Sequence, residues 1–95
     1  MTSLDPTKAY IVYPDGTTVT VVPDEGQTTF NLVQMQRIVG GLIEIVSCSD
    51  QRLCICDEEG KLKGLKPNMT ATKETGTTRD TIVGICLICP ASNVK

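Results

Sequence analysis

The sequence predicts a small α+β domain: a mostly antiparallel curved sheet or half-open barrel carrying one short helix. Three features lead there. The segment Asn31 to Glu44, NLVQMQRIVGGLIE, holds the signals for a helix start, a helix face and a helix stop. Around it, short β-branched runs are punctuated by turns rich in Pro, Gly and Asp. Towards the end, Thr81 to Cys89 is apolar at odd and even positions alike, the pattern of a strand covered on both faces.

The helix is the best-specified element. Asn31 suits the N-cap, since its side-chain oxygen can accept from first-turn N–H groups that have no intrahelical partner. Gln34 stands where a capping box wants Glu or Gln, and Phe30 and Met35 occupy the two positions of a hydrophobic staple. Leu32, Met35 and Val39 fall on one face as a core stripe, which leaves Gln34 and Arg37 to face water. Gly40 suits a left-handed helix end, and Gly41 turns the chain into Leu42. A helix this short needs packing against a sheet to be stable.

The strands follow in chain order. Met1 to Lys8 reads as a loose lead-in. Ala9 to Tyr13 and Thr17 to Val22 form a hairpin about Pro14-Asp15-Gly16, where Pro presets φ and Gly accepts φ > 0. Pro23-Asp24-Glu25-Gly26 ends that hairpin. Leu42 to Cys48 alternates, with Leu42, Glu44, Val46 and Cys48 on one face and Ile43, Ile45 and Ser47 on the other. Ser49-Asp50-Gln51 turns it into Arg52 to Asp57. Asp57-Glu58-Glu59-Gly60 is an acidic turn leading to Lys61–Leu65. Pro67 and Asn68 interrupt regular structure, and Thr70 to Thr78 is polar and threonine-rich. Thr81 to Cys89 is expected at the centre of the sheet against the helix, with Ala91 to Lys95 as a tail.

Composition bounds the function. Ninety-five residues make one domain, residues 1–95 with an ordered core over about 9–89. The net charge is −2, divided as −4 over residues 1–50 and +2 over residues 51–95. An acidic chain with three aromatic residues (Tyr10, Tyr13, Phe30) is poorly suited to nucleic acid, which needs basic surface or stacking rings. There is no histidine, so the commonest general base and the commonest zinc ligand are both missing. The N-terminal residues lack the apolar stretch of a secretory signal, and no apolar run approaches a membrane span. Five cysteines, an odd number in apolar surroundings, fit reduced thiols in a cytoplasmic protein.

Each chemical candidate has a plainer reading beside it. Cys54, Cys56, Cys86 and Cys89 number enough for a four-thiolate zinc site. On a strand, however, Cys86 and Cys89 point to opposite faces, so core filling is favoured and no metal or other cofactor is assigned. Asp57, Glu58 and Glu59 fit a solvated hairpin end better than a general acid–base pair. Glu44 lies inside an apolar strand, either exposed or paired with Arg37 or Arg79. Gly60, Lys61, Lys63 and Gly64 form a basic flexible loop without the signature of a phosphate loop. Asn68, Thr70 and Thr72 are the densest uncharged polar cluster; otherwise Asn68 makes an Asx-turn and the threonines suit a strand.

Several of these stretches recur together. Phe30-Asn31-Leu32, Gln36, Val39 to Glu44, Asp57 to Leu62, Pro67-Asn68, Ala71-Thr72 and Asp80 to Gly84 make the chain, over about residues 9–89, resemble a family catalogued only as a domain of unknown function. That family looks like one of small proteins of phages, algal viruses and bacterial mobile elements. Asp57 and Lys66 depart from it, where Asn and Pro are common. The resemblance implies a viral or mobile-element accessory protein and implies no reaction.

The resulting expectation is a non-enzymatic accessory protein that sequesters a small host signal, with a nucleotide as one candidate, or blocks a host defence protein. The alternatives are a small hydrolase using Glu44 or the Asp57–Glu59 carboxylates, and a structural or nucleic-acid accessory protein. Expected partners are a small anionic ligand or a host protein, without membrane association, and the strand edges suggest a homo-oligomer. The expected ligand-binding residues are Gly40, Gly41, Lys61, Lys63, Asn68, Thr70 and Thr72. The glycines would permit close backbone approach, the lysines would neutralise an anion, and the polar side chains would orient it.

Overall fold

The computed structural model describes residues 4–76 and 81–94. Five strands, β1 (Tyr10–Val12), β2 (Thr18–Thr20), β3 (Ile43–Ser47), β4 (Arg52–Asp57) and β5 (Cys86–Pro90), form one sheet in the order β2-β1-β5-β4-β3. Every pairing is antiparallel. Two hairpins, β1–β2 and β3–β4, are thus joined through β5. The sheet stays open, so the half-open barrel is corrected to an open sheet; β2 and β3 are its two edges.

Two helices cover it, α1 (Leu32–Val39) and α2 (Met69–Thr75). Period-two alternation sends Cys54, Cys56, Cys86 and Ile88 to the face where Ala71 of α2 packs. Ile55, Leu87 and Cys89 go to the other face, against Met35 and Val39 of α1. β5 is therefore buried from both sides, which is why its sequence carries no polar face. The expected strand over 81–89 is shorter than its apolar pattern: Ile82 and Val83 run ahead of it as a loop, with one bridge between Val83 and Pro67.

α1 keeps its predicted ends. Asn31 accepts from the Gln34 N–H at 2.8 Å, and Gly40 takes a left-handed conformation (φ 87°) while its N–H donates to Gln36 O. Its faces differ from expectation. Leu32 is exposed, and Gln34 is buried. The Gln34 side chain does not return to its own cap. Its Oε1 accepts from Asp24 N–H at 2.9 Å and its Nε2 donates to Val22 O at 3.0 Å, so α1 is fastened to the chain leaving β2.

α2 was not expected; the reading in which Thr70 and Thr72 suit a strand is corrected to a helix over Met69–Thr75, and Thr77 and Thr78 lie outside the described residues. Its residues are weak helix formers, and tertiary bonds hold it. Asn68, fully buried, accepts from Ala71 N–H at 3.0 Å as the N-cap. Its amide donates to Val12 O at 2.9 Å and Gly84 O at 2.8 Å, tying the cap to β1 and to the loop before β5. At the other end Arg52 and Glu74 form a buried ion pair at 3.0 Å, with side chains 4% and 6% exposed. Arg52 Nε also donates to Asp50 at 2.8 Å. Arg79 and Asp80, raised above as a pairing partner and a motif residue, lie outside the described residues.

Candidate functional site

The outer edge of β3 is the starting point. The Cys48 N–H donates to Arg52 O, and the Glu58 N–H to Leu42 O, both at 2.8 Å. With Glu44 opposite Cys56 and Val46 opposite Cys54, this phase turns the backbone groups of Glu44 and Val46 towards β4. Those of Ile43, Ile45 and Ser47 point away from the sheet. No hydrogen bond from a described residue reaches them.

Beside this edge, on the face that α2 covers further in, lies a groove of about 460 Å³. Val46 and Cys56 contribute to its lining from the sheet, Lys61 and Leu62 from the loop after β4, and Ile82 and Val83 from the loop before β5. Leu62 is the most exposed large apolar side chain described, at 87%, and Ile45 is also exposed. Glu44 and Glu58 stand at the groove and make no ion pair with a described residue. Lys61 is already engaged by a partner.

Asp57 also lines the groove, yet its carboxylate is committed elsewhere. It accepts from Lys63 Nζ at 2.7 Å and from Glu59 N–H at 2.8 Å. The Lys63 hydrogen bond, helped by the Glu59 N–H, holds it below the usual carboxylate range, and the Lys63 ammonium is raised in return. Gly41 fits against this pair. A Cβ there would come within 2.7 Å of Lys63 Nζ and 3.0 Å of Asp57 Oδ2, so any side chain would displace the bridge.

The expected ligand-binding residues are spread over the fold. Gly40, Gly41 and Lys63 lie at the end of α1, and Gly41 and Lys63 line a shallow depression with Val33 and Leu42. Lys61 lines the groove at the β3 edge on the other face. Asn68 is enclosed in backbone hydrogen bonds. The Thr72 hydroxyl donates to Asn68 O at 2.8 Å and accepts from Ile82 N–H at 2.9 Å. Thr70 faces Gly16 in the β1–β2 turn. Of the seven, Gly41 and Lys63 meet, and Asn68 and Thr72 meet. The β3 edge was missed as a site because strand order is not written in local sequence; the lone charge of Glu44 amid apolar residues was its one signal.

The five cysteines are free thiols, all buried. Cys54 and Cys86 lie on the α2 face and Cys89 on the α1 face. Burial pushes the thiols of Cys48, Cys56 and Cys89 up to about 12. Cys54 is raised too, first by its hydrogen bond with Cys86 and then by burial. Thiols held protonated in this way are poor nucleophiles and poor metal ligands. Among the described residues no group of three or more Cys, Asp or Glu is placed to hold a metal ion. No helix among them is long and apolar enough to cross a membrane.

Fold and site together define a small α+β domain with a helix on each face of an antiparallel sheet and an open edge, β3, beside a groove. The chain belongs to a family described as a domain of unknown function (DUF3846), whose model matches residues 7–94. No curated protein and no solved structure matches it.

Proposed function

We propose that this chain is a non-enzymatic accessory protein, encoded by a virus or mobile element and acting in the host cytoplasm, that works by binding another polypeptide. An extended segment of a host protein would add to the sheet as a sixth strand along β3. The observation that carries this is the outward row of N–H and C=O groups on Ile43, Ile45 and Ser47, which an added strand would satisfy. The adjoining groove offers the alternate side chains of such a strand a place to lie.

Other features support binding over catalysis. The Asp57 carboxylate, tied to Lys63, is poorly placed to exchange protons near neutral pH. Of the two lysines expected to hold an anion, Lys63 is neutralised by Asp57 and Lys61 has a partner. A protein partner therefore fits better than a small anionic signal. Cysteines outside any disulfide suit a reducing compartment.

Proline at position 45 tests this reading. It removes one outward N–H and leaves the β3–β4 ladder intact. Binding of extended peptides to the wild type, measured by calorimetry, should be lost in Ile45→Pro with the fold retained by circular dichroism. Equal binding by the folded variant would rule out strand addition at β3.

A further inference from the structure

The chemistry of the groove narrows the partner, on the premise that strand addition at β3 holds. In an added strand, alternate side chains lie on the two faces of the sheet. Those opposite Ile43 and Ile45 would lie on the α1 face beside two aliphatic side chains, Ile45 being exposed. Those opposite Glu44 and Val46 would lie over the groove. There Glu44 lacks a cationic partner among the described residues. Glu58 sits two residues beyond Cys56, the register partner of Glu44, and so stands diagonal to Glu44 on the same face. Exposed Leu62 forms an apolar lip beside these carboxylates.

Two carboxylates without an ion-pair partner among the described residues, set against the one ammonium of Lys61 in the same groove, stand next to an apolar lip and suit a side chain with an apolar stem and a cationic head. Arginine matches best, because its planar fork can bridge carboxylates while its methylenes cover Leu62. We propose that the segment taken up by β3 is basic: an Arg or Lys opposite Glu44, flanked by β-branched residues opposite Ile43 and Ile45. A second copy of this chain would place Val46 opposite Glu44 in the register centred on Ile45, leaving both Glu44 carboxylates unpaired. A basic partner is thus favoured over self-pairing.

Selection from a displayed library of random dodecapeptides tests this, run in parallel on the wild type, Glu44→Lys and Ile45→Pro. Wild-type selection should enrich Arg or Lys between β-branched residues. For an enriched peptide, replacing that Arg with Glu should weaken binding about fivefold to tenfold at low salt, less at high salt. Glu44→Lys should reverse the preference, and Ile45→Pro should enrich nothing. Enrichment of neutral or acidic peptides that still depend on position 45 would overturn the basic partner and leave strand addition standing. No enrichment at all, or enrichment unaffected by Ile45→Pro, would overturn both. Wild-type dimers that Ile45→Pro converts to monomers would assign the edge to a second copy and likewise overturn the proposal.

Discussion

The two edges of the sheet are finished differently. β2 is three residues long, follows the turn at Pro14 and runs into Pro23. Its register with β1, together with the bonds Tyr13 N–H to Thr17 O and Val21 N–H to Ala9 O, turns Thr18, Thr20 and Val22 outward. The Val22 carbonyl is then taken by the buried Gln34 amide, and Asp24 beyond it is held by Arg37 at 2.7 Å. β3 is five residues long, contains no Pro or Lys, and has no described side chain across its outer groups. Proteins usually blunt sheet edges. Thr18 and Thr20 of β2 also turn outward without a bond from a described residue, but that strand is short and α1 ties down the chain where it ends. By contrast, β3 offers a longer row beside a groove and is the place to look for function.

The largest expected effect tests the phase assigned to β3. Val46→Pro removes an N–H that points into the ladder and should cost about 3 kcal/mol or more in urea unfolding. If Val46→Pro is tolerated and Ile45→Pro is not, the outward and inward residues have been exchanged and the open edge is misassigned.

Next comes the β2 edge. Gln34→Ala strips partners from Val22 O and Asp24 N–H and should destabilise by about 2–3 kcal/mol. It should also make β2 sticky, seen as concentration-dependent mass in light scattering. A variant that is as stable as wild type would mean that Gln34 does not guard the edge.

The anchor beside the open edge depends on pH. Because the Asp57 pKa is lowered in the folded state, its contribution is present above the ordinary carboxylate value near 3.8 and is lost as pH falls through the folded value. Asp57→Asn should lower stability at pH 7 by about 1–2 kcal/mol, and the gap to wild type should narrow in acid. A gap independent of pH would show that the ion pair does not contribute. The buried thiols work in the opposite direction. With Cys48, Cys56 and Cys89 raised to about 12, the stability they contribute is complete below the ordinary thiol value of 9.0 and should fall as pH rises towards 12.

Ile45→Pro should have the smallest effect on the isolated protein, no more than about 1 kcal/mol, since its N–H serves no internal bond. Its thermal midpoint in differential scanning fluorimetry should stay near that of wild type. A collapse of the midpoint would mean that β3 is not an edge in solution.

What the sequence revealed follows the range of the interactions. The caps of α1 were legible because Asn31 and Gly40 each bond a backbone group within four residues, whereas the partners of the Gln34 side chain, at Val22 and Asp24, lie well outside the helix. The central place of the last strand was legible because burial on both faces leaves a continuous apolar run. α2 was not legible from the propensities of MTATKET, although Asn68 and Gly76 bracket it as caps. What holds it there, Asn68 to Val12 and Gly84 and Glu74 to Arg52, comes from residues distant in the chain. The same limit dispersed the expected ligand residues: Lys61 and Lys63 are near neighbours in sequence, yet they serve opposite faces of the sheet.

The position of β5 has a consequence for synthesis on the ribosome. β5 is the middle strand of the sheet, and it follows both hairpins in the chain. Until it emerges, β1–β2 and β3–β4 have no strand between them, and the nascent chain presents four strand edges instead of two. The strand that removes two of them is also the most apolar, with Cys86, Leu87, Ile88 and Cys89 all buried in the finished fold. Folding of this domain is therefore completed only once nearly all of it has been translated, and the growing chain stays open to pairing with its neighbours on a polysome until then.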